Sequence, residues 1–215
     1  MKTPAPFISL DGIDGTGKST QCRLLIDWLS SIGIPAIRCA DPGGTPVGDQ
    51  LRAILLNTES RMGDRAETLL FMASRAELVH QVIRPALEAG TVVISDRFVS
   101  ANVVYQGHAG DLDPEEIRMV GLFSTGQLMP DLTMILDMPI GEAAKRRGRT
   151  ADRLESRGEA YFERVRAGFR TEAANRPDTF RIIDASASVD AIQTELRRHV
   201  APLLRSRGLT IPTES

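Results

Sequence analysis

The chain has 215 residues, 42% hydrophobic and 25% charged, the proportions of a globular protein large enough for a substantial core. Its 26 basic and 28 acidic side chains nearly cancel, so there is no polybasic footprint for nucleic acid, and no apolar run approaches the ~20 residues of a membrane span. The start, Met1 to Pro6, lacks the apolar core of a signal peptide, and Cys22 and Cys39 stand apart without metal-ligand spacing; two reduced thiols in a cytoplasmic protein, with neither nucleic acid nor membrane as partner, are expected.

The first strand-like run is Phe7–Leu10, and directly after it comes Gly12-Ile13-Asp14-Gly15-Thr16-Gly17-Lys18-Ser19. This is the G-x-x-x-x-G-K-[ST] phosphate-binding loop in its required strand-to-helix setting. Glycines let successive N–H groups turn toward one anion, and the positive end of the following helix adds to the field. Lys18 can reach the outer phosphates and the Ser19 hydroxyl can coordinate Mg2+. The helix runs through Thr20 into an apolar stripe of Leu24, Leu25, Trp28 and Leu29. A nucleoside triphosphate is therefore the first expected ligand, held by residues 12–20.

Further strands are predicted at Ala36–Cys39, Thr91–Ser95, Leu132–Leu136 and Phe180–Ile183, each short and apolar as a strand buried on both faces should be. A turn at Asp41-Pro42-Gly43-Gly44-Thr45-Pro46 opens a helix with Pro at its first position. A long helix is expected from about Arg65 to Glu88, with Leu69, Met72, Ala73, Ala76, Val79, Ile83 and Leu87 as its core face and Pro85 disturbing its end. More helices follow Pro114, Pro139 and Arg157, and a last one covers Val189–Leu204. Alternating strands and helices predict one α/β domain: a P-loop NTPase fold with a five-stranded parallel sheet flanked by helices on both faces. Ligands bind such sheets at the C-terminal strand ends, where Asp41, Asp96, Arg97 and Asp137 also fall.

Two of these features carry chemistry. Asp96 ends a buried strand beside the loop and can hold Mg2+ through water, while Arg97 can clamp a second phosphate bidentately. The segment from Lys145 to Glu155 packs five basic side chains into its first nine residues. Such crowding is unfavourable on a solvated helix, but it suits a mobile lid, at about residues 145–157, that surrounds polyphosphate and excludes water. A guanine-reading N-K-x-D motif and an ABC-type signature are both absent, which argues against a nucleotide switch or a transporter ATPase.

Six ordered motifs make the chain resemble the thymidylate kinase family from Phe7 to about Asp184. They are the P-loop with its acidic Asp14; Ala40-Asp41-Pro42-Gly43-Gly44-Thr45; Leu69 to Arg75 as L-x-F-x-A-x-R; Asp96-Arg97-Phe98 through Tyr105-Gln106-Gly107; Pro130 to Asp137; and Asp152-Arg153-Leu154-Glu155. The resemblance implies ATP-dependent phosphorylation of dTMP to dTDP with Mg2+, in a homodimer. ATP would occupy Gly12, Ile13, Asp14, Gly15, Thr16, Gly17, Lys18, Ser19 and Thr20. Phe71 would stack on thymine, Arg75 would bond its carbonyl edge, and Asn102, Tyr105 and Gln106 would line the nucleoside pocket. Arg97 would hold the acceptor phosphate with Asp14 nearby, and Ser19 and Asp96 would serve the metal. Some family members carry an arginine in the loop where this chain has Gly15, so the transition-state cation falls to the lid, to Arg149 and Arg153, with Arg147 next. The chain departs from the pattern at Ala40, Asp41 and Ala101-Asn102, which leaves a kinase for another deoxynucleoside monophosphate or nucleoside as the alternative.

Overall fold

The computed structural model describes residues 5–147, 153 and 157–211. Five parallel strands form one sheet: β1 (Phe7–Asp11), β2 (Ala36–Ala40), β3 (Val92–Asp96), β4 (Leu132–Asp137) and β5 (Phe180–Asp184), in the order β2-β3-β1-β4-β5. Each expected strand is present, shifted by a residue at one end or another. Chain order reverses at β1, which pairs β3 on one side and β4 on the other. A crevice therefore opens at the C-terminal end of β1, where the phosphate-binding loop emerges.

Alternate strand residues point to opposite faces, and both faces are apolar. Ile8, Leu10, Val92 and Ile94 belong to one buried cluster with Leu25 of α1 (Lys18–Ser31) and Leu196 of α9 (Val189–Ser206). Phe7, Val93 and Phe98 belong to a second with Met72 and Leu78, and Phe7 meets Phe98 edge-on with ring centroids 4.9 Å apart. Helices on both faces are the only way to keep such strands from water.

The long helix divides into α3 (Asp64–Leu78), a π-helical turn over Val79–Ile83, and α4 (Arg84–Glu88). Pro85 sits in the first turn of α4, where its missing N–H costs nothing, and the wider turn before it absorbs the mismatch. The core face of α3 also differs from expectation. Leu69 is 59% exposed, while Glu67, Thr68, Phe71, Met72, Ser74 and Arg75 are buried. The helix turns its polar-aromatic side inward, where Phe71 and Arg75 line the crevice.

The other helices are α2 (Pro46–Leu56), α5 (Val99–Asn102), α6 (Pro114–Thr125), α7 (Ile140–Arg147) and α8 (Glu159–Asn175). A second π-helical turn, Val103–His108, continues α5. The β-branched pair at 103–104 and Gly107 hide this helical stretch from periodicity. No helix of the described residues is long and apolar enough to cross a membrane. Cys22 and Cys39 are free and buried, and burial pushes the Cys39 thiol up to about 12, which keeps it protonated and unreactive.

Candidate active site

The phosphate-binding loop is built by close backbone approach. A Cβ on Gly12 would stand 2.4 Å from the Leu136 carbonyl oxygen, and one on Gly15 would stand 2.1 Å from that of Ala143. Both glycines also have positive φ, +129° and +92°, so only glycine fits. Gly17 precedes the 14-residue α1, whose first turn holds no acidic residue; its positive end is left for an external anion. Thr16 closes the loop by donating its hydroxyl to the Ile13 carbonyl at 2.9 Å.

Lys18 is buried under this loop. It donates Nζ to the Ile13 carbonyl at 2.7 Å and lies 3.6 Å from Asp14. Burial, and then the charge of Arg97, pull its pKa below the ordinary lysine value, so the site favours an arriving anion. Ser19 donates its hydroxyl to Asp96 at 2.5 Å, and Arg38 lies 3.6 Å from the same carboxylate oxygen. A serine hydroxyl and one carboxylate at the mouth of a phosphate cradle are a hard-oxygen donor pair that suits Mg2+, which takes its remaining ligands from water and phosphate.

Beyond the loop stands Arg97, a non-glycine residue at φ +74°, a left-handed conformation that costs about 1–3 kcal/mol. Its guanidinium donates to the Gly12 carbonyl and to Asp14 at 2.8 Å each, reaches the Tyr105 hydroxyl at 3.3 Å, and lies over the Tyr105 ring. Burial opposes its charge, but Asp14 and Tyr105 more than offset that and raise its pKa further. Arg97 is thus a fixed cation between the loop and the rest of the crevice.

At the other end of the cleft, α3, α5 and the π-helical turn after α5 build a pocket. Phe71, Arg75, Ala101, Asn102, Tyr105 and Gln106 line one cleft together with Asp14, Lys18, Ser19, Asp96 and Arg97, with a volume of ≈530 Å³. Arg75 is 1% exposed. It donates Nε to Asp41 and Nη2 to Asn102, each at 2.5 Å. Asp41, at the turn after β2, therefore serves Arg75. Burial raises its carboxyl pKa and Arg75 counters this. The following turn is pinned from α2 and α3: Gly43 donates to Ser74 at 3.0 Å, and Arg52 donates to the Pro42 carbonyl at 2.6 Å.

Some expected site residues lie elsewhere. Asp137 ends β4 as predicted, yet Arg166 and Arg170 of α8 take it up at 2.7 Å each, and it does not line the cleft. Arg153 donates to the Leu55 carbonyl at 2.8 Å and lies 2.6 Å from Glu67, and it does not line the cleft. Arg149 lies outside the described residues, as do the rest of 148–152, residues 154–156 and the side chain of Arg147. Sequence reasoning missed Glu67 and left Arg157 without a role; the structure joins them at 2.8 Å. The one available signal for Glu67 was its four-residue spacing from Phe71 and eight-residue spacing from Arg75, which places all three on one helix face. Arg146, which lines the cleft and donates to the Ala185 carbonyl at 2.8 Å, was read only as part of a basic run.

The chain matches the family model of thymidylate kinase over residues 10–196. A thymidylate kinase of Symbiobacterium thermophilum is 44% identical over 203 residues, which is 94% of this chain and 95% of that protein. One of Exiguobacterium sibiricum is 39% identical over 205 residues, covering 94% and 96%. Among solved structures, the thymidylate kinase of Ehrlichia chaffeensis superposes with a TM-score of 0.75 at 27% identity, over 92% of this chain and 99% of that one. The family model matched over residues 10–196 and the 44% identity with a relative over 94% of the chain place this chain in the thymidylate kinase family.

Proposed function

We propose that the chain transfers the γ-phosphoryl group of ATP to the phosphate of dTMP, giving ADP and dTDP, as a homodimer in the cytoplasm. The observation that carries this reading is one cleft with two ends. The phosphate-binding loop lies at one end, an aromatic-amide pocket lies at the other, and Asp14 and Arg97 pair at 2.8 Å between them. The thymidylate kinase relatives support the same substrate pair.

In this reading Lys18 and the loop amides hold the triphosphate, and Arg97 releases the Gly12 carbonyl and Asp14 in part to hold the acceptor phosphate. An acceptor oxygen attacks the γ-phosphorus in line, the bond to the β-bridging oxygen breaks, and ADP carries that oxygen away; no covalent enzyme intermediate is needed. Ser19 and Asp96 would hold Mg2+, which when bound offsets charge on the phosphates. Arg149 would add a cation at the transferring group, and Arg153, held in this structure by Glu67 and the Leu55 carbonyl, would do so only after leaving them. Phe71 offers the base a flat apolar partner, and Arg75 and Asn102 offer its edge donors and an acceptor. The dimer is proposed through α3 and α6, where Leu69, Met119 and Phe123 are 59%, 63% and 85% exposed.

The test is ADP formation from Mg-ATP with each nucleoside monophosphate supplied separately. Turnover of dTMP far above dCMP, dGMP and UMP is expected. A flat or purine-led profile overturns the reading in favour of another nucleotide kinase.

A further inference from the structure

Behind the base pocket runs a chain of buried polar groups. Glu67 is 0% exposed and does not line the cleft. Gln106 donates Nε2 to Glu67 at 2.7 Å, Asn102 donates Nδ2 to Gln106 at 2.8 Å, and Arg75 donates Nη2 to Asn102 at 2.5 Å. On its other side Glu67 accepts from Arg157 at 2.9 and 2.8 Å and lies 2.6 Å from Arg153; two guanidiniums supply its countercharge.

The two ends of this chain differ in kind. An ionised carboxylate can only accept, and a guanidinium can only donate. With Glu67 at one end and Arg75 at the other, each amide has a single orientation that satisfies both of its neighbours. Turning either amide around sets N–H against N–H or oxygen against oxygen inside a buried site.

We propose that Glu67 is a specificity-positioning residue: through Gln106 it fixes the Asn102 amide, and so selects a base edge of the thymine type over the cytosine type. This rests on the base-pocket reading given above. Arg75 uses one lone pair of the Asn102 carbonyl, and the second is left for an N–H of the base. Thymine offers N3–H beside a carbonyl that Arg75 can bond. Cytosine inverts both, with an acceptor at N3 and an amino group beside it. Glutamine at position 67 both donates and accepts, so the Gln106 amide is no longer held to one orientation, and Arg75 alone opposes turning of the Asn102 amide.

The experiment compares wild type with Glu67→Gln for kcat/KM toward dTMP, dUMP and dCMP under saturating Mg-ATP. The uracil of dUMP has the same N3–H and carbonyl edge as thymine and lacks only the methyl group. In E67Q the dTMP-to-dCMP ratio is expected to fall about tenfold, while the dTMP-to-dUMP ratio stays within about twofold. Both ratios unchanged, or both falling together as a generally loosened pocket would cause, overturns the proposal. Gln106→Met cuts the same chain while leaving Glu67 in place with its two guanidiniums and is expected to show the same signature, so it decides the matter if E67Q does not fold. The double variant is expected to lose no more discrimination than Q106M alone; losses that multiply overturn the proposal. Wild type without preference for dTMP over dCMP would remove the base-pocket reading itself, whereas a wild-type preference retained in E67Q would remove only the role of Glu67.

Discussion

Lys18 and Asp41 show two ways in which a buried charge can serve a site. Lys18 is held by one carbonyl and by Asp14 at 3.6 Å, with burial and Arg97 lowering its pKa; its charge is placed where a phosphate would complete it. Lys18→Ala is therefore expected to cut turnover by about 1,000-fold or more, with a melting temperature within a few degrees of wild type, checked by steady-state assay and thermal scan of one preparation. Asp41 has its partner already, since Arg75 bonds it at 2.5 Å, and its task is to aim that guanidinium. The Lys18 loop was legible because its function lies in backbone geometry, which glycine spacing encodes locally. The Asp41–Arg75 pair was not, because 34 residues separate its members and no local pattern links them. Glu67 was hidden by the rule that carboxylates face water.

At the scale of elements, α8 is fastened by carboxylates at both of its faces. Asp137 of β4 takes Arg166 and Arg170, and Glu172 of α8 takes His108, Arg118 and Arg176. Burial alone would raise both carboxyls, but hydrogen bonds from Arg166 and Arg170 on Asp137, and from Arg118 and His108 on Glu172, outweigh it and hold them below their ordinary 3.8 and 4.5. A carboxylate depressed in the folded state adds stability above its unfolded value and loses it as pH falls through the folded one. Asp137→Asn and Glu172→Gln are each expected to cost about 2 kcal/mol at pH 7. The penalty should shrink toward zero as pH drops below about 4, read by urea denaturation at a series of pH values. The apolar periodicity of α3 placed Leu69 inside, and the structure places it outside, exposed as Met119 and Phe123 are on α6, a helix packed against α3. Periodicity alone cannot separate a core face from a subunit face. If these residues form the proposed dimer contact, Phe123→Glu should convert the particle from two chains to one in light scattering, with each chain still folded by circular dichroism.

For the molecule as a whole, the sheet order β2-β3-β1-β4-β5 brings the loop after β1, the carboxylate after β3 and the turn after β2 to one rim. Two ligands that share this rim should stabilise it together. Mg-ATP with dTMP, each at about 100 times its Kd, is expected to raise the melting temperature by several degrees. A metal chelator should abolish turnover and the ATP-dependent part of that rise while leaving the dTMP-dependent part, as a thermal-shift titration would show. The sequence by itself determined the parallel α/β sheet, the strand positions to within a residue and the phosphate-binding loop, and its resemblance to the family pointed to Phe71, Arg75, Asn102, Tyr105 and Gln106 but not to Arg38, Arg52, Leu56 or Arg146, which also line the cleft. These follow from short-range rules: apolar runs, glycine spacing and ordered motifs. Only the tertiary structure decided that Asp41 supports Arg75, that Asp137 belongs to α8, that Leu69 faces outward, and that Glu67 anchors the Gln106–Asn102 pair. Those outcomes depend on which distant donor meets which acceptor once water is excluded, and contact between residues far apart in the chain is what folding, not local pattern, creates.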